Sequence, residues 1–223
     1  MKTVAAIFAH PDDEVLGCGA TISRLAREGS KVHILILATG LSSRGKVRPE
    51  DFERLRSQAV LCSEKLSASS IDFSSFPDNS MDSIPLLEIV KSVESFIQKV
   101  EPDIIFTHHN GDINVDHDIT QRAVLTATRP LPGVKQREIL ACEVLSSTEF
   151  GNYGVRFRPN CYYGVSEEDV TSAIAGLECY EGEVREAPHP RSAGVMINQF
   201  RLRGSECGCM AAEAFEVLRS IRF

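Results

Sequence analysis

Two stretches of the chain concentrate side chains that bind metal ions and move protons. The first is His10-Pro11-Asp12-Asp13-Glu14. The second is Thr107-His108-His109-Asn110-Gly111-Asp112-Ile113-Asn114-Val115-Asp116-His117. Histidine and aspartate suit Zn²⁺ and similar divalent ions, and a catalytic zinc commonly takes three protein ligands plus a water. No P-loop and no CxxC pair accompanies them, so metal-assisted hydrolysis is the chemistry such a set serves. Acidic residues also have a plainer use at a helix start, where they cap the helix and complement its dipole. One aspartate meets that need; a histidine with two adjacent aspartates exceeds it.

The elements that must position these side chains alternate two hydrophobic periods. Residues 3–9 form a short apolar run that reads as a buried strand, and residues 14–28 carry apolar side chains at helical spacing with Gly29 as a C-cap. The pattern continues with a strand over 31–39, a loop over 40–49, a helix over 49–66 and a weaker strand over 70–76. A helix over 85–100, a strand over 103–107, a helix over 117–128 and a strand over 138–145 complete it. Strands apolar on both faces, alternating with helices, predict an α/β fold: a mostly parallel sheet with helices on both faces. Both reactive stretches then fall beyond the carboxyl ends of strands, where such folds bind ligands. From about residue 150 the pattern loosens into an edge strand over 159–165 and helices over 167–180, 191–204 and 210–221. With no linker or repeat in view, residues 1–223 read as a single domain carrying this tail.

Composition narrows the function classes. The 223 residues include 24 Lys plus Arg against 31 Asp plus Glu, a net charge of −7, which argues against a nucleic-acid partner. No run approaches the roughly 20 apolar residues of a membrane span. The N-terminal apolar run is too short for a secretory signal, and the 7 cysteines show no metal or redox spacing, which predicts a reduced, cytoplasmic protein. Cys207-Gly208-Cys209 has a spacing unsuited to a zinc finger. Gly17 and Gly19 lack the third glycine of a dinucleotide fingerprint, because Ile22 stands there. Close helix–strand packing is their expected role.

His10-Pro11-Asp12-Asp13-Glu14, followed by Leu16-Gly17-Cys18-Gly19-Ala20-Thr21, resembles the signature of the PIG-L/LmbE family of zinc-dependent N-deacetylases. Asp116-His117 matches that family's second metal motif. Pro77-Asp78-Asn79, Glu101-Pro102-Asp103, His189-Pro190-Arg191-Ser192 and Arg203-Gly204-Ser205-Glu206 resemble its recurring features. The resemblance implies His10, Asp13 and His117 as zinc ligands and Asp12 as general base, with Glu14 shaping the helix start. It also implies a Rossmann-like parallel sheet and a small-molecule substrate, an N-acetylated amino sugar of the N-acetylglucosamine type. The ligand set itself also accepts other divalent metals. Asp116, one residue before His117, is placed to orient a neighbouring polar group. Where many family members carry a histidine three residues before the second His ligand, this chain has Asn114. Asparagine donates a hydrogen bond but transfers no proton, so Asn114 is either a neutral oxyanion donor or the acid lies elsewhere, with His189 and His109 as candidates.

The loop after the second strand carries Arg44, Lys46 and Arg48. It is either a solvated loop or a grip for phosphate or hydroxyls, as a nucleotide-sugar would need, with Arg44 foremost. His189 and Arg191 either line the substrate pocket or belong to a rigid turn set by Pro188 and Pro190. His33 reads as a packed residue of its strand, and His108 as either structural or a support for the metal ligands. The sequence therefore predicts a zinc-dependent deacetylase of an N-acetylated amino sugar. Hydrolysis of another amide by the same metal site, and a catalytically silent sugar-binding relative, are the alternatives.

Overall fold

The computed structural model describes residues 1–41, 48–151 and 154–222. Its first half runs β1 (Thr3–Phe8), α1 (Asp13–Arg27), β2 (Lys31–Ala38), α2 (Pro49–Lys65), β3 (Ser70–Phe76), α3 (Leu86–Val100), β4 (Ile104–His108), α4 (Val115–Ala127) and β5 (Glu138–Cys142). The second half adds β6 (Cys161–Gly164), α5 (Glu167–Leu177), α6 (Ala193–Cys207) and β7 (Ala212–Arg219). The sheet order is β3-β2-β1-β4-β5-β7-β6. The first five strands pair in parallel; β7 pairs antiparallel with both β5 and β6.

β1 shows why the sheet is covered twice. Its side chains alternate between two cores, and both are apolar. Val4, Ala6 and Phe8 join a core shared with α1, α2, α5 and α6, whereas Ala5 and Ile7 join one shared with α3 and α4. The predicted two-faced α/β sheet is therefore observed. From β1 the chain winds outward to β2 and β3, and from β4 it winds the other way to β5. The β1/β4 junction is thus the switch point where such a sheet opens a crevice.

Helix α1 packs closely over that junction. A Cβ at Gly17 would stand 3.1 Å from the Phe8 ring and 3.2 Å from Cys142 Cβ, so a larger residue would press on both neighbours and glycine lets the helix sit this near the strands without that strain. The helix breaks at Cys18, whose φ is −155°. The backbone N–H groups of Ala20 and Thr21, just beyond the break, donate to Glu213 of β7 at 3.1 and 2.6 Å. A remote carboxylate thereby does the work of a cap.

The structure corrects one prediction. Residues 210–221 do not form a helix; Ala212–Arg219 is strand β7. Ala, Glu and Leu favour helices in isolation, but here β7 lies between β5 and β6 and buries Ala212, Ala214 and Phe215. Sheet pairing and burial override the local preference. The edge strand expected over 159–165 is present as β6.

Candidate active site

The loop after β1 and the loop after β4 meet above the junction. Asp13 Oδ2 lies 3.2 Å from His10 Nδ1 and 3.2 Å from His117 Nε2, and those two ring nitrogens are 3.3 Å apart. One ligand atom from each of His10, Asp13 and His117 falls within 4.8 Å of the others, and all three residues are buried. Two imidazole nitrogens and a carboxylate oxygen converging on one point form a donor set that suits Zn²⁺ or a similar divalent ion. The three residues expected as ligands are thus brought together.

The outward-facing ring nitrogens meet carboxylates. His10 Nε2 is 3.0 Å from Asp116 Oδ2 and 3.4 Å from Asp78 Oδ1. His117 Nδ1 is 3.1 Å from Asp112 Oδ2. Carboxylates behind ligand histidines fix their tautomer and raise their basicity. Asp116 is itself held by the Met81 backbone N–H at 2.9 Å. Asp112 accepts from the Ser147 hydroxyl, from Thr148 Oγ1 at 2.7 Å and from the Asn114 backbone N–H at 2.9 Å.

Without a metal these contacts hold protons. Burial disfavours the His10 cation, but its hydrogen bonds to Asp116 and Asp13 outweigh burial and lift its pKa to about 10. Burial likewise opposes the charge on His117, and Asp13 and Asp112 lift it to about 9. Asp13 is pushed up by burial and pulled further down by the His117 charge, ending well below the ordinary carboxylate range. His108 behaves oppositely. Burial, then the neighbouring His117 charge, drive it down to about 4. Its neutral ring stacks on His117 at 3.7 Å, and its Nε2 accepts the Ala9 backbone N–H at 2.9 Å. His108 therefore supports the set and has no free lone pair on that nitrogen for a metal.

Asp12 stands at the N-cap position of α1 with φ +100° and makes no side-chain capping bond. Backbone held in this region costs about 1–3 kcal/mol and persists only where the surroundings enforce it. One carboxylate oxygen of Asp12 accepts from Arg191 Nη1 at 2.8 Å, and the same nitrogen donates to Glu183 Oε2 at 2.7 Å. Burial pushes the Asp12 carboxyl up to about 7; Arg191 opposes this, while Asp13, Glu183 and Glu14 add to it. A carboxyl near neutrality suits a group that takes and returns a proton. Burial also pushes Glu14 up to about 7. Its carboxylate accepts from the Asp12 backbone N–H at 3.0 Å and from the Tyr180 hydroxyl.

A polar cavity of about 290 Å³ opens over the set, lined by His10, Asp12, Asp13, His117, Asn114 and Arg191 among others. Asn114 also has a structural duty, because its Oδ1 caps α4 by accepting the Asp116 backbone N–H at 2.9 Å. Its Nδ2 donates to Asn79 Oδ1 at 2.9 Å. Arg191 lines the cavity as expected, with its guanidinium on Asp12 and Glu183. His189 does not line it and accepts the Arg191 backbone N–H on Nδ1 at 3.1 Å. His109 points away, 3.4 Å from Glu216 and edge-on to Phe157. His33 packs in its strand with Nδ1 2.8 Å from Ser70 Oγ. Arg44 and Lys46 lie outside the described residues, and Arg48 pairs with Asp51 and Glu50. A larger cavity of about 530 Å³ lies alongside, bounded by Val144, Leu145, Val155, Phe157, Pro190 and Arg203 among others.

Sequence reasoning gave no role to Asp112, Asp78, Tyr180 and Glu183. Asp112 shares its segment with His117 and carried a weak signal. Tyr180 and Glu183 carried none, because only the fold brings residues past 177 to the first loop.

Comparison with known proteins places the chain in a family. The family model described as GlcNAc-PI de-N-acetylase, PIG-L, matches residues 5–128. The uncharacterized deacetylase YaiS of Escherichia coli strain K12 is 27% identical over 183 residues, covering 79% of this chain and 89% of that protein. The fold matches N,N'-diacetylchitobiose deacetylase of Pyrococcus horikoshii with a TM-score of 0.74, 18% identity, and coverage of 97% of this chain and 84% of that one. It also matches 4-carboxy-2-hydroxymuconate hydratase of Pseudomonas putida with a TM-score of 0.77, 17% identity, and coverage of 100% and 98%. The hydratase shows that the fold alone does not decide the reaction. The family match does not rest on fold: it spans more than half of the chain and contains every residue of the buried His10, Asp13 and His117 set, and the chain belongs to the PIG-L family of N-deacetylating hydrolases.

Proposed function

We propose that the chain is a divalent-metal-dependent hydrolase, with zinc as the metal, that removes the acetyl group from an N-acetylated amino sugar of the N-acetylglucosamine type. The observation that carries this reading is the buried convergence of His10, Asp13 and His117 beside an Asp12 that forgoes capping its helix. These three residues would hold the cation, which when bound supplies Lewis-acid charge and acidifies water. Asp12 takes the proton of the attacking water and returns it to the departing amine, so one carboxyl serves as base and then acid. Arg191 aims that carboxylate. Asn114 commits one amide hydrogen to Asn79 and offers its other one to the developing oxyanion. Atoms balance as amide plus water giving acetate plus free amine.

A finer reading makes the substrate a nucleotide-sugar gripped by Arg44, on the strength of that residue's place after a strand of the parallel sheet. If so, Arg44→Ala raises KM for a phosphorylated substrate more than for its neutral fragment; equal effects remove the idea. The seven free cysteines favour a reducing compartment, which the cytoplasm supplies. Among the described residues no helix is long and apolar enough to cross a membrane. The general reading is tested by acetate release from N-acetyl sugars, their nucleotide conjugates and N-acetyl thiol glycosides, with zinc added and with chelator. Zinc-dependent release supports it. Release of no acetate, with water added instead to an unsaturated acid, would favour the hydratase chemistry of the structural neighbour.

A further inference from the structure

We propose that Tyr180 is a positioning residue for Asp12, acting through Glu14; this rests on the reading of Asp12 as the proton-transferring group. The peptide of Asp12 adopts φ +100° without help from its own side chain. Glu14 holds it: Oε2 accepts the Asp12 backbone N–H at 3.0 Å, while Oε1 accepts the Tyr180 hydroxyl. Glu14 and Tyr180 are both 0% exposed.

Helix capping does not require the burial or the tyrosine. A first-turn glutamate that accepts the N–H of the cap residue is half of a capping box, and it can serve from the surface with no loss of hydration. Glu14 does so fully buried. Packing does not require the tyrosine either. Phenylalanine fills nearly the same volume, and a buried hydroxyl is unfavourable unless it is bonded. Tyr180 itself is anchored, because its N–H donates to Leu177 O at 3.0 Å and its carbonyl accepts from Glu183 N at 3.1 Å. Glu183 in turn holds Arg191, and Arg191 holds the Asp12 carboxylate. One segment after α5 therefore fixes Asp12 twice, at its peptide through Tyr180 and Glu14 and at its carboxylate through Arg191. Loss of the first hold lets the peptide turn and carries the carboxylate off its aim.

The test is Tyr180→Phe in the metal-loaded full chain, read three ways: metal content, kcat and KM for acetate release from an aryl N-acetylglucosaminide, and hydrogen exchange of the Asp12 amide. Metal content should stay the same. We expect kcat to fall about 10-fold, roughly 1.4 kcal/mol, with KM changed by less than about twofold. The Asp12 amide should exchange faster while amides elsewhere in the sheet do not. Tyr162→Phe, which removes a hydroxyl bonded to Glu206 at 3.2 Å on the edge strand, should change none of these. If Tyr180→Phe does not fold, Glu14→Gln asks the same question, since it retains one oxygen acceptor for two donors. Unchanged kcat and unchanged Asp12 exchange in the folded variant overturn the proposal. So does a loss carried by KM, or by amides everywhere, which would mark packing alone. If the unaltered protein releases acetate from no N-acetyl sugar, the function reading fails, and Asp12 exchange by itself still decides whether Tyr180 holds that peptide.

Discussion

Helices α1 and α4 begin in the same way, directly beyond a strand, with histidine and aspartate in the connecting loop, yet their first residues are used differently. At α4 the cap residue Asn114 behaves as helix chemistry asks, its side chain accepting the Asp116 N–H. At α1 the cap residue Asp12 makes no such bond and sits at φ +100°. A side chain suited to capping that is withheld from it, at a cost in backbone strain, is free for other chemistry. The difference separates a residue whose side chain is shared between building the site and facing the cavity from one whose side chain gives nothing to its helix, although both are polar.

The largest effects should come from the ligands that both loops contribute. His10→Ala and His117→Ala should each lose the metal and all turnover, as metal analysis and acetate release would show. A double variant that still binds one zinc would break the pairing of the two loops. Next come the carboxylates behind them. Asp116→Asn and Asp112→Asn should each weaken metal affinity about 10–100-fold, measured by competition with a chelating dye. A large loss at only one of them would show that the two loops are not supported alike.

Proton competition gives a smaller, pH-dependent effect. In the metal-free site His10 is lifted to about 10 and His117 to about 9. Groups raised in the folded state stabilise it fully below about pH 6.5, the unfolded value. That stabilisation is lost as pH rises through about 9 and 10. Chelation should therefore lower Tm more at pH 9 than at pH 6, where protons still occupy the site; an equal drop at both would contradict the proton-holding contacts. The smallest effect belongs to the α4 cap. Asn114→Ala should cost about 1 kcal/mol in stability by denaturant unfolding. Asn114→Asp, which keeps the cap and loses the amide donor, should recover that stability without recovering turnover. Full turnover in Asn114→Asp would leave the residue a cap alone.

Much of this site was legible in the chain. Strands β1 and β4 are apolar on both faces, so the His and Asp that follow them had to lie at the carboxyl end of a parallel sheet. Which of those residues form the ligand set came from the resemblance of the two stretches to the family's motifs, not from their spacing. Asp112 escaped notice because its partner is the far side of the His117 ring, an orientation that spacing does not encode. Tyr180 and Glu183 reach the first loop only through tertiary packing. β7 was misread because Ala, Glu and Leu dominate its local preference, while its position between two strands is set by pairing. Asn114 looked like an altered catalytic residue, and its capping bond became visible only with the backbone of α4 in place.

The central claim is that Asp12 moves protons while His10, Asp13 and His117 hold the metal. It is tested most directly by metal content and acetate release measured on the same preparation of Asp12→Asn. The account predicts one bound metal per chain, as in the unaltered protein, and turnover lower by about 10²–10⁴-fold. Turnover at the unaltered rate with the metal in place would contradict it.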